Sequence, residues 1–293
     1  HAMPIFYRNV MYKPGEESED AACLKLYDGH DWKWFCAGLL HTDMEYLRRH
    51  WSGKKSSAPV LEKRHQKYFL RFSYTEEVTL SKTPVKDQLI CSVDLGINTD
   101  AVCSIMRSDG TVLDRKFINF PSEKDRLSHV LGRIRRFQKE HGSKQIGSRW
   151  AYAKRLNTEL ARKTGRSIAE YAHENHADVI VFEYLEMKGK ISGKKRQKLH
   201  LWKKREIQTM CEHKAHRYGI RVSRVCAWNT SRLAYDGSGP VSRDPKNHSL
   251  CVFQSGKQYN CDLSASYNIG ARYWIREIIK TLPETERSSL EAK

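Results

Sequence analysis

The spacing of hydrophobic and polar positions changes several times along this chain, and each change marks an element. Residues 3–88 carry short runs with strand spacing, from Ala22 to Tyr27, Trp32 to Leu39 and Lys67 to Tyr74. The last alternates aromatic and basic side chains, as a half-exposed strand does. Asp28-Gly29 and Ser52-Gly53 supply turns, and Pro84 in a polar stretch marks a boundary. Leu89 to Val93 is an apolar run that reads as a buried strand; it delivers one carboxylate, Asp94, and breaks at Gly96. A hairpin follows, with Asp100 to Arg107 and Thr111 to Phe120 flanking a Ser108-Asp109-Gly110 turn.

Residues 123–141 and 146–176 then take up helical spacing, separated by Gly142 and Gly147. The second segment carries Trp150, Tyr152, Leu156, Leu160, Ile168 and Tyr171 in a stripe that is more often core than function. Ala177 to Phe182 is another apolar run ending in a carboxylate, Glu183. A basic loop from Lys188 to Lys198, with Gly189 and Gly193, leads into a helix from about Leu199 to Tyr218, for which Gly219 is the stop. Ile220 to Val225 alternates as a strand, and residues 228–260 are rich in turn signals. From Asp262 a helix runs to about Lys280 with Ala265, Ile269, Ile275 and Ile279 facing inward, and the polar residues 281–293 read as a frayed end. This order of elements predicts an α/β fold, a mixed sheet flanked by helices.

At 293 residues the chain allows one large or two modest domains. It has no run of eighteen apolar residues and no apolar signal-peptide core, so no membrane partner is expected. His1-Ala2 ahead of Met3 reads as a scar left by expression and is set aside. The eight cysteines form no C-x-x-C pair, and several fall in apolar strands or helices, so they read as free thiols in a reducing, cytoplasmic setting.

The net charge of +18 sharpens the picture once it is located. Residues 124–166 hold 13 Lys/Arg against 3 Asp/Glu, and residues 186–221 hold 12 against 3, which together account for the whole excess. Two basic segments that frame Glu183 are better explained by a polyanion crossing a groove than by two solvated helix faces. Neither shows the Trp/Phe/Leu-rich face of a membrane-surface helix. The candidate contacts are Arg133, Arg136, Arg149, Lys154, Arg155, Lys194, Lys195, Arg196, Lys203, Lys204 and Arg205. Trp150, Tyr152 and Trp202 could stack bases, although core packing explains each equally well.

Asp94 alone reads as a turn cap, and Asp262 alone as a helix N-cap. Together with Glu183 they read differently. Adjacent parallel strands would bring the ends at Asp94 and Glu183 together, and a helix opening at Asp262 could pack on the same sheet edge. Three converging carboxylates raise one another's pKa unless a cation intervenes. Two Mg²⁺ ions, with Mn²⁺ as a substitute, answer that need, and a pair about 3.5–4 Å apart suits in-line phosphoryl displacement. Asp94 would bridge both ions, with Glu183 and Asp262 holding one each.

Val93-Asp94-Leu95-Gly96-Ile97-Asn98, Val179-Ile180-Val181-Phe182-Glu183 and Asp262-Leu263-Ser264-Ala265-Ser266-Tyr267-Asn268-Ile269 resemble the three signatures of the RuvC-type nuclease domain, in particular those of TnpB and the type V CRISPR effectors. The resemblance covers residues 89–280. It implies an RNase H-like fold with Asp94, Glu183 and Asp262 as catalytic and metal-binding residues, a DNA target presented as a single strand, and a guide RNA. Residues 3–88 resemble part of the family's wedge-like β-barrel. The implied organisation is a wedge-like segment at 3–88, a nuclease core at 89–227, a target-strand-binding insert at 228–260, a final nuclease helix at 261–280 and a polar tail at 281–293.

Two departures qualify the resemblance. Many members carry a zinc ribbon of two C-x-x-C pairs in the insert, whereas here Thr230-Ser231 are followed by Arg232 to Gly237 without cysteine, and the second knuckle keeps only Cys251. Cys226, Cys251 and Cys261 lack zinc spacing, so an insert that has lost its metal is expected. His173/His176 and His213/His216, at i,i+3 spacing, read as surface histidines. The family also begins with a helical recognition lobe that this chain lacks, which implies a fragment, one half of a split protein whose partner chain supplies the lobe, or a reduced relative. The expected function is an RNA-guided, Mg²⁺-dependent DNA endonuclease, cytoplasmic and, in a prokaryote, nucleoid-associated. An RNA-guided binding protein that does not cut is the alternative, and a Holliday-junction resolvase a third.

Overall fold

The computed structural model describes residues 5–16, 18–64, 66–142, 146–184, 203–244, 247, 249–284 and 286–287. The chain divides into two compact units, His1–Glu77 and Val78–Lys293.

The first unit is built from short antiparallel pairings. Strands β1 (Tyr12–Pro14), β2 (Ala21–Tyr27) and β3 (Trp32–Gly38) form one sheet. Strands β4 (Lys55–Ser56) and β7 (Tyr74–Thr75) form a pair, as do β5 (Val60–Arg64) and β6 (Lys67–Arg71). Phe6, Tyr12 and Ala22 are its buried centre, with Leu24, Leu61, Leu70 and Phe72 packed against them.

Two expectations are corrected in this unit. A helix, α1 (His41–Trp51), interrupts the strands; Met44, Leu47 and Trp51 fall at helical spacing on its half-buried side, and none of its residues is fully buried. Cys23 and Cys36 are joined in a disulfide, against the expectation of free thiols. The cause is register: the β2–β3 ladder sets Cys23 directly opposite Cys36. The other six cysteines are free, and only Cys226 among them is exposed.

The second unit begins with a stretch that the sequence groups with the first. Ser81 N–H donates to the Gly219 carbonyl at 2.7 Å, and the Ser81 and Thr83 hydroxyls donate to Asp178 at 2.6 and 2.5 Å. Leu89 N–H donates to the same carboxylate at 2.9 Å, so Asp178 ties the entry of the first core strand to a later one.

A five-stranded mixed sheet forms the core. Strands β8 (Ile90–Asp94), β9 (Ala101–Met106) and β10 (Val112–Ile118) are antiparallel neighbours. On the other side of β8, strands β11 (Val179–Tyr184) and β12 (Arg221–Cys226) are parallel to it and to each other. The order is β10-β9-β8-β11-β12. Long crossovers are what parallel pairing demands, and helices supply them. They are α2 (Pro121–His141), α3 (Gly147–Glu174) and α4 (Lys204–Arg217).

Both faces of the sheet are covered, which is why its central strands read as continuous apolar runs rather than alternating ones. Cys91, Val93, Cys103, Ile180 and Phe182 pack with Ile168 and Ala172 of α3 and with Ile207 and Cys211 of α4. The residues between them, Ile90, Val102, Val179 and Val181, pack with the last helix, α5 (Cys261–Thr281), through Leu263, Ile269, Tyr273 and Trp274. Ala265 and Ile269 face inward as expected, but Ile275 is 57% exposed, because steps of four from Ala265 lead through Ile269 to Tyr273 and leave position 275 on the solvent side.

Gly219, at φ +76°, stops α4, and Ile220 N–H closes the turn onto the Ala215 carbonyl. Residues 228–260 form a small antiparallel sheet of β13 (Ser242–Arg243), β14 (Leu250–Val252) and β15 (Gln258–Asn260). Its centre is Ala234, Cys251, Phe253 and Cys261, and the Tyr235 ring lies 5.1 Å from those of Tyr259 and Tyr267. Much of the proposed tail at 281–293 lies outside the described residues.

Candidate active site

Asp94 is the last residue of β8, after four fully buried positions. The turn that follows needs its glycine, since a Cβ on Gly96 would lie 2.6 Å from the Thr99 carbonyl oxygen. Asp100 then anchors the hairpin by accepting from Phe120 N–H at 2.9 Å and pairing with Lys124 at 3.1 Å. On the neighbouring parallel strand Phe182 pairs with Val93, which sets Glu183 next to Asp94 despite 88 intervening residues. Asp262 lies in the first turn of α5. Its reading as the helix cap is corrected: Asn260 is the N-cap, its side chain accepting from Leu263 N–H at 2.9 Å, so the Asp262 carboxylate is not used in capping.

The other two carboxylates act on Asp94. Burial pushes the Asp94 carboxyl far above its ordinary range, and the charges of Glu183 and Asp262 push it further, with Arg243 opposing. Burial also raises Glu183, against a hydrogen bond from Thr230 and the charges of Arg272 and Lys204. Asp262 is raised by burial and lowered by Arg243. Among the described residues no group of three His, Cys, Asp or Glu side chains is gathered closely enough to hold a metal ion. The two findings are compatible, because charges couple over longer distances than ligand bonds span. The donor set is nonetheless suited to a hard divalent cation: oxygen only, anionic, and mounted on two strand ends and one helix turn.

A supporting layer surrounds Glu183 that the sequence did not reveal. The Thr230 hydroxyl donates to its carboxylate, and Gln208 Nε2 donates to its backbone carbonyl at 3.0 Å. Arg224 holds Gln208 through Nε at 3.2 Å. Asn268 Nδ2 donates to the carbonyls of Thr230 and Leu233 at 2.9 and 2.8 Å, tying α5 to the start of the insert. Arg243 of β13 donates to the Ser231 carbonyl at 3.1 Å and faces both aspartates electrostatically. Asn268 was legible as a polar residue inside an apolar helix. Arg243, one basic residue in a polar insert, carried no signal.

The basic residues are spread over several elements. Arg133 and Arg136 on α2, Arg149, Lys154 and Arg155 on α3, and Arg205 on α4 are exposed. The guanidinium of Arg149 lies 4.6 Å from the Phe137 ring centroid, and that of Arg155 lies 5.8 Å from Tyr152. Trp150 packs against the α2–α3 core. Lys203 donates to the Thr158 hydroxyl at 2.5 Å. Lys204 departs from the expected solvent-facing contact: it is only 8% exposed, and burial and Arg205 lower its pKa while Glu183 raises it. Lys194, Lys195, Arg196 and Trp202 lie outside the described residues.

Residues 205–269 match the family model of the Cas12f1-like TNB domain. No curated protein matches the chain. Among solved structures, the mini-RNA-guided endonuclease CRISPR-Cas_phi3 is similar at TM-score 0.55 and 14% identity, over 87% of this chain and 57% of that one. CasPhi-2 (Cas12j) bound to crRNA and phosphorothioate-DNA gives 0.54 and 13%, over 87% and 58%. C2c1 of Alicyclobacillus acidoterrestris with single-guide RNA gives 0.53 and 10%, over 89% and 50%. The chain thus spans 50–58% of the length of these proteins. The mixed five-stranded α/β fold is shared with these solved structures. The family match is thus confined to residues 205–269, and the likeness to the solved structures is one of fold. No helix among the described residues is long and apolar enough to cross a membrane.

Proposed function

We propose that this chain is a divalent-metal-dependent DNA endonuclease, guided by RNA, that hydrolyses phosphodiester bonds at Asp94, Glu183 and Asp262. The observation that carries the reading is the parallel register of β8 and β11, which sets Glu183 next to Asp94, whose carboxyl is raised by burial and then by the charges of Glu183 and Asp262. Negative charge gathered at the ends of two central strands, on a chain whose helices α2, α3 and α4 carry exposed Lys and Arg, suits a cation and a phosphodiester together. Mg²⁺, or Mn²⁺ in its place, would be held by Asp94 with Glu183 and Asp262 as the flanking ligands. When bound, a metal pair stabilises the attacking and leaving oxygens of an in-line displacement.

The chain's own residues prepare that chemistry. Thr230 fixes the Glu183 carboxylate by hydrogen bonding, which keeps its donor oxygens oriented. Arg243 offsets the charge of both aspartates from the insert side. Arg133, Arg136, Arg149, Lys154, Arg155 and Arg205 would neutralise phosphates along the approaching strand. The aromatic packing of Tyr235, Phe253, Tyr259 and Tyr267 supports an insert held without zinc.

One observation favours a second reading, an RNA-guided binder that does not cut: the carboxylates are not gathered at ligand distance among the described residues. Labelled single-stranded DNA incubated with the chain and its co-purifying RNA separates the two. The nuclease reading expects products in Mg²⁺ or Mn²⁺ and none in chelator. Binding without products in either metal would leave only the second reading.

A further inference from the structure

The chain leaves β12 through a turn that is pinned at both ends. The Cys226 carbonyl accepts from Arg272 Nη1 at 2.8 Å, and the Thr230 carbonyl accepts from Asn268 Nδ2 at 2.9 Å, both donors lying on α5. Between them Asn229 takes a left-handed backbone, φ +60°, and its carbonyl accepts from Arg232 and Leu233 N–H at 3.0 and 3.2 Å. Trp228 is carried on this turn at 73% exposure, and no large apolar side chain among the described residues is more exposed. Its indole has no ring, cation or hydrogen-bonding partner among those residues. Single exposed apolar side chains are ordinary on a protein surface. This one differs in its position. Two residues on, Thr230 donates its hydroxyl to the Glu183 carboxylate, and two residues of chain span no more than about 7 Å. Arg272, which holds the turn, also acts on Glu183 through its charge. The indole is therefore mounted rigidly beside one of the three carboxylates.

We propose that Trp228 is a stacking platform for one base of the DNA strand presented to the carboxylates, a positioning residue that holds the strand beside them. A strand whose phosphate lies near Glu183 carries a base on each side of that phosphate, and a base stacks on an exposed aromatic face. The indole offers a large, flat contact with only two side-chain torsions to fix. Its backbone is already ordered by the pinned turn, so binding has little further freedom to remove. Stacking accepts any base, which gives a grip on the strand without selecting its sequence. An exposed tryptophan also suits a protein partner, but a chain of net charge +18 favours a polyanion.

The identity of the strand rests on the nuclease reading above, and the test keeps the two apart. The full chain is titrated in Ca²⁺ with a labelled oligothymidylate and with the same oligomer made of abasic units. Trp228→Ala should weaken thymidylate binding about five- to a hundredfold, the equivalent of about 1–3 kcal/mol for one stacked base. Its affinity for the abasic oligomer should stay within about twofold of the wild type, because the phosphate contacts are untouched. Trp228→Phe should recover most of the loss, whereas Trp228→Leu, apolar but not planar, should not. Each variant should melt near the wild-type temperature, since the side chain is exposed. Should Trp228→Ala fail to fold, the comparison of Trp228→Phe with Trp228→Leu decides alone.

Unchanged thymidylate binding in folded Trp228→Ala, an equal loss on both oligomers, or full recovery in Trp228→Leu would overturn the platform. So would the absence of measurable DNA binding. A lower sedimenting mass of the DNA-free chain on Trp228→Ala would overturn it too, by marking a contact between copies. Cleavage in Mg²⁺ is read on the same samples, where a positioning role raises KM and leaves kcat within about threefold. Products together with a failed binding test leave the nuclease standing and remove Trp228 from it. A successful binding test without products retains the base contact in a protein that does not cut.

Discussion

Thr230→Val is the substitution that asks most sharply whether Glu183 is a working ligand. Thr230 is 2% exposed, and its hydroxyl donates to the Glu183 carboxylate and lies 3.2 Å from the Ala227 carbonyl. Valine keeps the shape and removes the hydroxyl. A hydrogen bond to a charged group contributes about 1.5–3 kcal/mol, all of it favouring the ionised form of Glu183. At 1.4 kcal/mol per decade that loss is roughly a ten- to hundredfold weakening of metal binding. It falls within the range known for groups that orient metal ligands, about 10–100-fold. The same loss raises Glu183 further above its ordinary range. Because the carboxylate must be ionised to hold a metal, the acid limb of the cleavage profile should move to higher pH. The assay is initial cleavage rate against Mg²⁺ concentration at several pH values. A Thr230→Val protein with wild-type metal dependence and an unmoved acid limb would refute the role given to Glu183.

Two further predictions concern stability. Asp94→Asn should raise the melting temperature of the metal-free protein near pH 7.5 and leave it unchanged near pH 3.5. The sign follows from linkage: a carboxyl raised in the folded state favours its neutral form there. Its penalty is therefore absent below the unfolded value near 3.8 and present in full above the raised folded value; a lower melting temperature for Asp94→Asn at pH 7.5 would contradict this. Gly165→Ala should destabilise the protein by about 1–3 kcal/mol, although alanine is the better helix former. A Cβ there would lie 2.7 Å from the Ile207 carbonyl and 2.9 Å from Cys211 N, so α3 and α4 must move apart. Urea unfolding that shows equal or greater stability would exclude that close approach.

What the sequence disclosed follows from which forces leave a periodic trace. The runs before Asp94 and Glu183 were legible because strands buried on both faces are apolar throughout, and Gly219 was legible because only a left-handed residue ends α4 this way. The pairing of Glu183 with Asp94 was accessible as an expectation, since two parallel strands ending in carboxylates have adjacent ends. Helix α1 left only a short trace, Met44, Leu47 and Trp51 at helical spacing among polar residues, which a reading of the surrounding strands passes over. The disulfide between Cys23 and Cys36 depends on the register of β2 and β3, which two short strands do not encode in composition. Asp262 taken alone reads as a helix cap, but Asn260 two residues earlier can cap equally well, and the hydrogen bond to Leu263 shows that it does. Thr230, Gln208 and Arg243 reach Glu183 or the aspartates from distant segments. Such contacts are products of the tertiary fold.

The account stands on Asp94 as the centre of a metal-dependent cutting site. Its most direct test is side-by-side cleavage and binding of labelled DNA by the wild type and Asp94→Ala, both loaded with the co-purifying RNA, in Mg²⁺. The wild type should yield products, and Asp94→Ala should yield none while binding DNA within about threefold of wild type, since the basic residues that carry affinity are untouched. Products from Asp94→Ala at a rate near that of the wild type would contradict the assignment.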